Sequence, residues 1–283
     1  MRVTTEVDGD AVAHVELCRG DGNAIDLAMA RGLLNAARSC ETARARAVLL
    51  TGRGRSFCVG GDLREFAAVP GDRLAGHLAD VTDALHGALR ILAGLDAPLV
   101  VAVQGAVAGA GLGLTAAADL AFAAADAGFT AAYTGIGYSP DAGVTWSLPR
   151  LVGPGRARDL LLTNRRITAA EALAMGLVAR VVAPERLAAQ AAAAARALAH
   201  GATGAYGVTR RLVSGALSAS FDEHLDAEAR GLAAAAVSAE GREGVSAFVA
   251  KRRPDFVHPP SGGHGDHGDH GGHGDHGDHG DPS

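Results

Sequence analysis

The chain has 283 residues, 48% of them hydrophobic, and a formal net charge of −5. This length and composition suit one large or two small domains with a sizeable core. The mild acidity gives no argument for nucleic-acid binding, and no apolar run is long enough and free enough of charge to cross a bilayer. The three cysteines, with no targeting peptide visible before the first strand, indicate reduced thiols in the cytoplasm.

The first third of the sequence predicts strands alternating with helices. Alternating residues on either side of residues 8–10, Asp-Gly-Asp, predict a hairpin. Asp26 is a plausible N-cap for a helix over about 27–40, where apolar residues recur at helical spacing. A short buried strand is predicted over 47–51, and glycines punctuate residues 52–61.

The middle of the sequence centres on a buried strand at 99–103, which follows a predicted helix over about 74–92. Residues 105–113 predict a glycine-rich turn that leads into an alanine-rich helix. Backbone N–H groups at such a helix start are unpaired, so they can hold a phosphate or the oxyanion of a polarised carbonyl. Residues 103–125 contain neither GxGxxG nor a P-loop lysine, so a nucleotide phosphate is not the first expectation.

The last third predicts mostly helices, with one short strand at 178–182. The predicted helices cover residues 155–163, 169–175, 185–200, 203–214, 221–239 and 241–250. The fold class is therefore α/β. We divide the chain into a core over 1–200, a helical C-terminal region over 201–258 and a tail over 259–283.

The tail repeats a His-Gly-Asp unit and has no apolar residue to bury, which predicts disorder. Six of its histidines recur at three-residue spacing beside aspartates: His264, His267, His270, His273, His276 and His279. Such a set could bind Zn²⁺ or Ni²⁺ loosely. The simpler interpretation is a solubilising tail whose metal affinity is incidental.

Four segments, in order and with fitting spacing, match the signatures of one known family. SFCVGGDL, residues 56–63, resembles an FCAGADL-type segment, and residues 104–113 resemble an NGxAxGGG signature. GIGYSPDAG, residues 135–143, resembles a third signature, and FVAKRRPDF, residues 248–256, resembles a closing segment. Over about residues 1–257 the chain thus resembles the crotonase (enoyl-CoA hydratase/isomerase) superfamily.

The resemblance implies a crotonase-like spiral of ββα turns with a helical C-terminal region used for trimerisation, in a homotrimer or homohexamer. It also implies acyl-CoA thioester substrates, with coenzyme A entering only as part of the substrate and no separate cofactor. In the family's chemistry two backbone N–H groups polarise the thioester carbonyl and hold the enolate. By resemblance these donors belong to Gly61 and Ala110.

The resemblance also assigns contacts to the substrate. The loop Asn23, Ala24 and Ile25 would receive the adenine end of coenzyme A. Residues beside the two donors would line the substrate: Gly60, Asp62, Leu63 and Gly109. Arg64, and Lys251 from a neighbouring subunit, would face the CoA phosphates as cations. The alternative for both is a solvated surface charge.

The side chains at the family's acid–base positions favour an isomerase. Hydratases of the family carry two glutamates, and their positions are Gly113 and Tyr133 here. Asp141, in SPDAG, matches the aspartate-type isomerases of the family. A single carboxylate can take a proton from one carbon and return it to another. The alternative for Asp141 is an N-cap of a helix that starts at about Ala142.

Two other functions stay open. His86, Tyr133 and Asp141 fall where the family's aryl-CoA dehalogenases place a histidine, a tryptophan and a nucleophilic aspartate, and there the histidine activates water. A histidine on an apolar-periodic helix can also be a packed helix residue. The third candidate is a non-catalytic acyl-CoA or metal-binding protein that kept the scaffold.

Overall fold

A computed structural model describes residues 1–259. The strands are β1 (Val3–Val7), β2 (Val12–Leu17), β3 (Ala47–Gly52), β4 (Leu99–Val103), β5 (Ala106–Ala108), β6 (Leu120–Ala124), β7 (Gly128–Thr130), β8 (Ile167–Thr168) and β9 (Arg180–Val182). The helices are α1 (Gly20–Asn23), α2 (Leu27–Thr42), α3 (Leu63–Ala68), α4 (Gly71–Gly94), α5 (Ala110–Ala116), α6 (Val144–Val152), α7 (Pro154–Thr163), α8 (Ala169–Met175), α9 (Leu187–Ala199), α10 (Thr203–Gly215), α11 (Phe221–Ala236) and α12 (Ala239–Val249). The tail histidines lie outside the described residues, so their metal affinity stays a prediction.

The main sheet has six strands in the order β1-β2-β3-β4-β6-β9. β1 and β2 form the predicted antiparallel hairpin, and each later neighbouring pair is parallel. A smaller sheet has the order β5-β7-β8. The carboxyl ends of parallel strands meet at one edge of a sheet. The loops that follow β2, β3 and β4 therefore come together there.

The central strands are buried on both faces. Val48 and Leu50 of β3 lie in the larger hydrophobic cluster, which α2, α4 and α5 also form. Leu49, between them, lies in the smaller cluster under α9. Because side chains alternate across a strand, a run of apolar residues fills both clusters at once. Full burial of each leucine or valine side chain stabilises the fold by roughly 1.5–3 kcal/mol. The two clusters therefore hold the sheet and the loops that extend from it in place.

The glycine-rich segment after β4 differs from the prediction of a turn over 105–113. The chain forms β5 and then begins α5 at Ala110, so Gly111 and Gly113 lie inside the helix. A Cβ on Gly111 would lie 2.2 Å from the Cys58 carbonyl oxygen, and one on Gly113 would lie 2.6 Å from Ala142. Packing against other loops, not turn geometry, requires these two glycines.

The C-terminal region is helical, as predicted, and consists of α10, α11 and α12. Many of its large apolar side chains are exposed: Val213, Leu217, Phe221, Leu232, Val237, Val245, Phe248 and Val249. Among the helices of residues 1–259, none combines the length and the apolarity needed to traverse a bilayer.

Candidate active site

The backbone N–H of Gly61 points away from the neighbouring loop. Ile25 and Gly61 pair as a parallel bridge. The Ile25 N–H donates to the Gly60 carbonyl oxygen at 2.7 Å, and the Asp62 N–H donates to the Ile25 carbonyl oxygen at 2.9 Å. In a parallel bridge the bonds come from the residues on either side. The N–H of Gly61 itself is therefore directed to the opposite side.

The N–H of Ala110 is the first of helix α5, and the first N–H groups of a helix have no partner within it. Gly109 precedes it as the N-cap and offers no side chain to accept from the helix. Among the described residues, neither the Gly61 N–H nor the Ala110 N–H donates a hydrogen bond within the protein. Both predicted donors are therefore available to a ligand.

Two glycines allow the donor loops to touch backbone to backbone. Gly60 has φ +95° and Gly109 has φ +54°, conformations that side chains rarely tolerate. A Cβ on Gly109 would lie 3.2 Å from the Gly60 Cα. The loops are also joined by the Ala108 N–H, which donates to the Cys58 carbonyl oxygen at 2.9 Å. This contact brings Gly61 and Ala110 to the same cavity.

The cavity has a volume of about 600 Å³, and Gly61, Ala110, Tyr133 and Asp141 all line it. One wall is an apolar stripe of α4: Leu74, Leu78, Val81 and Leu85. The segment 136–140 forms another part of the lining. Two backbone donors and one carboxylate in an otherwise mostly apolar cavity form a site for a carbonyl compound with an apolar body.

Asp141 is half-buried and is held by Tyr133. The Tyr133 hydroxyl donates a hydrogen bond to Oδ1 of Asp141, with an O···O distance of 2.6 Å. Burial, together with the nearby Asp141 carboxylate, raises the pKa of the Tyr133 phenol well above its usual range. The phenol therefore stays protonated at neutral pH and remains a donor.

The N-cap interpretation of Asp141 is wrong. Helix α6 begins at Val144, its N-cap is Gly143 in a left-handed conformation, and no side chain caps it. The predicted helix start at about Ala142 is therefore two residues early. Two left-handed residues in a row, Ala142 and Gly143, delay the helix and leave the Asp141 side chain free to line the cavity.

His86 lies on α4 beside the segment that carries Asp141. Its Nε2 atom accepts a hydrogen bond from the Ala142 backbone N–H at 3.2 Å. The side chain is half-buried and is not among the residues that line the cavity. The interpretation as a packed helix residue is thus incomplete, since His86 makes a specific polar contact next to Asp141.

Gly113 leaves no space for the glutamate of a hydratase. A Cβ on Gly113 would lie 2.6 Å from both Cβ and the carbonyl oxygen of Ala142. The segment that carries Asp141 therefore occupies the volume that a side chain at this position would need. The sequence shows the missing glutamate, but it gives no signal that Ala142 fills its place.

The Asn23 and Asp62 side chains hold the loops together, and the predicted contacts of these two residues with the substrate stay predictions. The fully buried Asn23 amide donates to the carbonyl oxygens of Arg53, Ser56 and Phe57 at 3.0–3.1 Å. Asp62 accepts from two N–H groups of α3 and pairs with Arg19. Partial burial opposes ionisation, yet Arg19 and these N–H groups hold the pKa of Asp62 below its usual range.

The remaining predicted contacts are placed as follows. Ile25 and Leu63 line the cavity, while Ala24 is buried and its carbonyl oxygen accepts from Arg19 at 2.7 Å. Arg64 is exposed on the first turn of α3. Lys251 is exposed beyond the end of α12 and does not line the cavity of its own chain.

A group of three carboxylates, Asp26, Asp62 and Glu65, lies close enough together to suggest a metal site among the described residues. Arg2 and Arg19 pair with Asp26, and Arg19 also pairs with Asp62. These two arginines offset two of the three negative charges and tie Asp26 and Asp62 to the neighbouring loops, so we assign the cluster a structural role.

A family model described as "Enoyl-CoA hydratase/isomerase" matches residues 8–259. The chain belongs to the enoyl-CoA hydratase/isomerase family. The resemblance drawn from the motifs is thereby confirmed, and with it the crotonase fold and the enzyme family. Enzymes of the enoyl-CoA hydratase/isomerase family act on acyl-CoA thioesters.

The relatives of this chain carry names that refer to different reactions. "Probable enoyl-CoA hydratase" of Rhodobacter capsulatus is 41% identical over 235 residues, 83% of this chain and 90% of that protein. A 1,2-epoxyphenylacetyl-CoA isomerase of Escherichia coli is 39% identical over 212 residues, covering 75% and 81% of the two chains. A 4-chlorobenzoyl coenzyme A dehalogenase of an Arthrobacter species is 31% identical over 188 residues, covering 66% and 68%.

Solved structures of the enoyl-CoA hydratase/isomerase family share this fold over nearly the whole described chain. An enoyl-CoA hydratase from Bacillus anthracis superposes with a TM-score of 0.84 at 29% identity, covering 90% of this chain and 99% of that one. The names of this structure and of the relatives do not specify the reaction of this chain. That reaction has to be inferred from the residues of the site.

Proposed function

We propose that this protein is an acyl-CoA isomerase that moves a double bond through a thioester enolate, with Asp141 as the proton shuttle. The observation that carries the proposal is the placement of Asp141. It lines the same cavity as the Gly61 and Ala110 donors, while the position of a hydratase glutamate, Gly113, is closed by Ala142.

The proposed reaction follows from these groups. The two N–H donors bind the thioester oxygen of a 3-enoyl-CoA and stabilise the negative charge that develops there. The Asp141 carboxylate takes a proton from C2, and the electrons move into a dienolate. The protonated Asp141 then returns the proton to C4, which gives the conjugated 2-enoyl-CoA.

Tyr133 supports this role because it occupies one carboxylate oxygen. With Oδ1 bound to the phenol, Oδ2 is left to face the substrate. A hydratase would also need a second acid–base group to deliver water, and a positioned acid or base contributes typically 10²–10⁴-fold to a rate. Tyr133, whose phenol is held protonated, is a poor substitute for that second carboxylate.

In the test, purified protein is incubated with 3-enoyl-CoA and, in a separate reaction, with 2-enoyl-CoA. The proposal expects conversion of the first to conjugated 2-enoyl-CoA and little 3-hydroxyacyl-CoA from the second. Fast hydration of 2-enoyl-CoA without isomerisation would contradict it. Tight binding of acyl-CoA without either reaction would favour the non-catalytic alternative.

A dehalogenase is the second candidate, because His86, Tyr133 and Asp141 do lie together. In that reaction Asp141 would attack an aryl-CoA ring and release halide, and His86 would activate the water that cleaves the aryl ester. The hydrogen bond from the Ala142 N–H to Nε2 of His86 disfavours this base role. Absence of halide release from saturating 4-chlorobenzoyl-CoA would remove the candidate.

We also propose that Arg64, and Lys251 of a neighbouring copy, face the CoA phosphates in a homotrimer or homohexamer. Arg64 directly follows Leu63, which lines the cavity, and exposed apolar side chains on α10, α11 and α12 offer an interface. Lys251→Ala should raise KM for CoA thioesters but not for pantetheine thioesters, which lack the nucleotide phosphates. Light scattering that finds a monomer would exclude the neighbour's role.

A further inference from the structure

The segment that carries Asp141 has an unusual backbone. Ala142 has φ +50° and Gly143 has φ +69°. Alanine adopts a left-handed conformation only at an energetic cost, because its Cβ crowds the backbone. Such a conformation persists where the surroundings over-determine it, and it is found often at functional sites.

Two elements hold this segment from different sides. On one side Ala142 packs against Gly113 of α5, whose missing side chain leaves the space. On the other side Nε2 of His86 accepts the Ala142 N–H at 3.2 Å. Ala142 is only 1% exposed, so without this acceptor its N–H would be a buried unpaired donor.

His86 is itself fixed by the packing of α4. Its neighbours Ala84, Leu85 and Ala88 are buried in the larger core cluster. The next residue, Gly87, lies against Leu34 of α2, since a Cβ there would be 3.1 Å from a Leu34 methyl group. A histidine on this face of α4 therefore offers its acceptor atom at a fixed place.

We propose that His86 is a positioning residue of the active site. Its neutral imidazole accepts the Ala142 N–H through Nε2, carries its own proton on Nδ1, and thereby holds the Asp141 carboxylate at its place beside the two oxyanion donors. This inference rests on the proposed isomerase function. It assigns His86 no contact with substrate, in contrast to the base of a dehalogenase.

The test compares His86→Leu, which removes the acceptor, with His86→Gln, whose amide oxygen can accept the same N–H. Asp83→Asn, an exposed change on the same helix, is the control. His86→Leu should lower kcat for 3-enoyl-CoA isomerisation by roughly 10²-fold, as expected for a misplaced catalytic group, with KM little changed. His86→Gln should restore most of kcat.

Amide hydrogen exchange of residues 141–143 gives a readout that does not depend on the reaction. Exchange at Ala142 should be faster in His86→Leu than in the wild type and close to the wild type in His86→Gln. If His86→Leu does not fold, His86→Asn replaces it, because its shorter side chain keeps polarity but does not reach Ala142.

Two results would overturn the proposal. If His86→Gln is as inactive as His86→Leu while exchange at Ala142 is normal, the imidazole takes part in the chemistry itself. If His86→Leu keeps both full kcat and slow exchange, the hydrogen bond positions nothing. A wild type that lacks isomerase activity, but shows the exchange pattern above, would contradict the proposed reaction and leave the positioning contact intact.

Discussion

Among single residues, the hydrogen-bonded pair Tyr133 and Asp141 places a carboxylate in the lining of the cavity. The Tyr133 phenol donates a hydrogen bond to Oδ1 of Asp141 at 2.6 Å. This bond uses one of the two carboxylate oxygens. Hydrogen bonds to charged groups contribute about 1.5–3 kcal/mol, so this bond is strong enough to set the rotamer of Asp141. A carboxylate held in this way is suited to move one proton between two carbons.

We predict that Tyr133→Phe lowers kcat for isomerisation about tenfold or more, because the carboxylate loses the bond that orients it. KM should change less, since the phenol is assigned no bond to the thioester. Steady-state kinetics with 3-enoyl-CoA measures both. An unchanged kcat would show that Asp141 is oriented without the phenol.

Sequence motifs predicted the residues of the candidate site but not the contacts between them. Asp141, Gly61 and Ala110 were predicted from short segments and lie around one cavity. The hydrogen bond from Ala142 to His86 spans 56 positions of the chain, and the bond from Tyr133 to Asp141 joins two irregular segments, so no local pattern encodes either contact. Motifs report residue types, whereas these contacts depend on how the loops are packed.

At the scale of elements, the loop before α6 and the helix α5 are fitted to each other. Ala142 fills the volume beside Gly113, so the aspartate-carrying loop and a glutamate on α5 exclude one another. The Asn23 side chain similarly ties the loop after β2 to the loop after β3 through three carbonyl oxygens. The sequence indicated loops at both places, but their interlocking depends on tertiary packing.

We predict that Gly113→Glu does not create a hydratase. The new side chain would displace Ala142 and with it Asp141, so isomerisation should be lost without any gain in hydration. Overpacking should lower the free energy of unfolding by about 1–3 kcal/mol. Denaturant unfolding and hydration of 2-enoyl-CoA measure the two effects.

The matched control is Gly76→Glu on α4, because a Cβ at Gly76 meets nothing within 4 Å. This variant should keep both the stability and the isomerase activity of the wild type. Efficient hydration by Gly113→Glu would contradict the interlocking of α5 with the loop.

At the scale of the whole molecule, an ion pair ties the end of the described chain to α12. The carboxylate of Glu243, 3% exposed, accepts from Arg252 at 2.5 and 2.8 Å and from the Asp255 N–H at 2.8 Å. These hydrogen bonds lower the pKa of Glu243 from 4.5 to about 2. They fasten the closing segment to the helical region.

This ion pair predicts a pH-dependent stability. A depressed pKa in the folded state means that ionised Glu243 stabilises the fold above pH 4.5, and that this stabilisation is lost as pH falls toward about 2. Glu243→Gln should therefore lower Tm at neutral pH, and the difference from the wild type should shrink below pH 4.5. Thermal unfolding of both proteins between neutral pH and about pH 2 measures this difference in Tm. The control is Glu185→Gln, a substitution of an exposed glutamate. A constant difference in Tm would contradict the assignment.

The proposed proton shuttle by Asp141 is tested by the rate at which Asp141→Asn isomerises 3-enoyl-CoA. The amide keeps the size of the side chain but does not act as the base. We expect kcat to fall by roughly 10²–10⁴-fold, with the fold intact and acyl-CoA still bound. Asp83→Asn should retain the wild-type rate. An Asp141→Asn variant that isomerises as fast as the wild type would contradict the account.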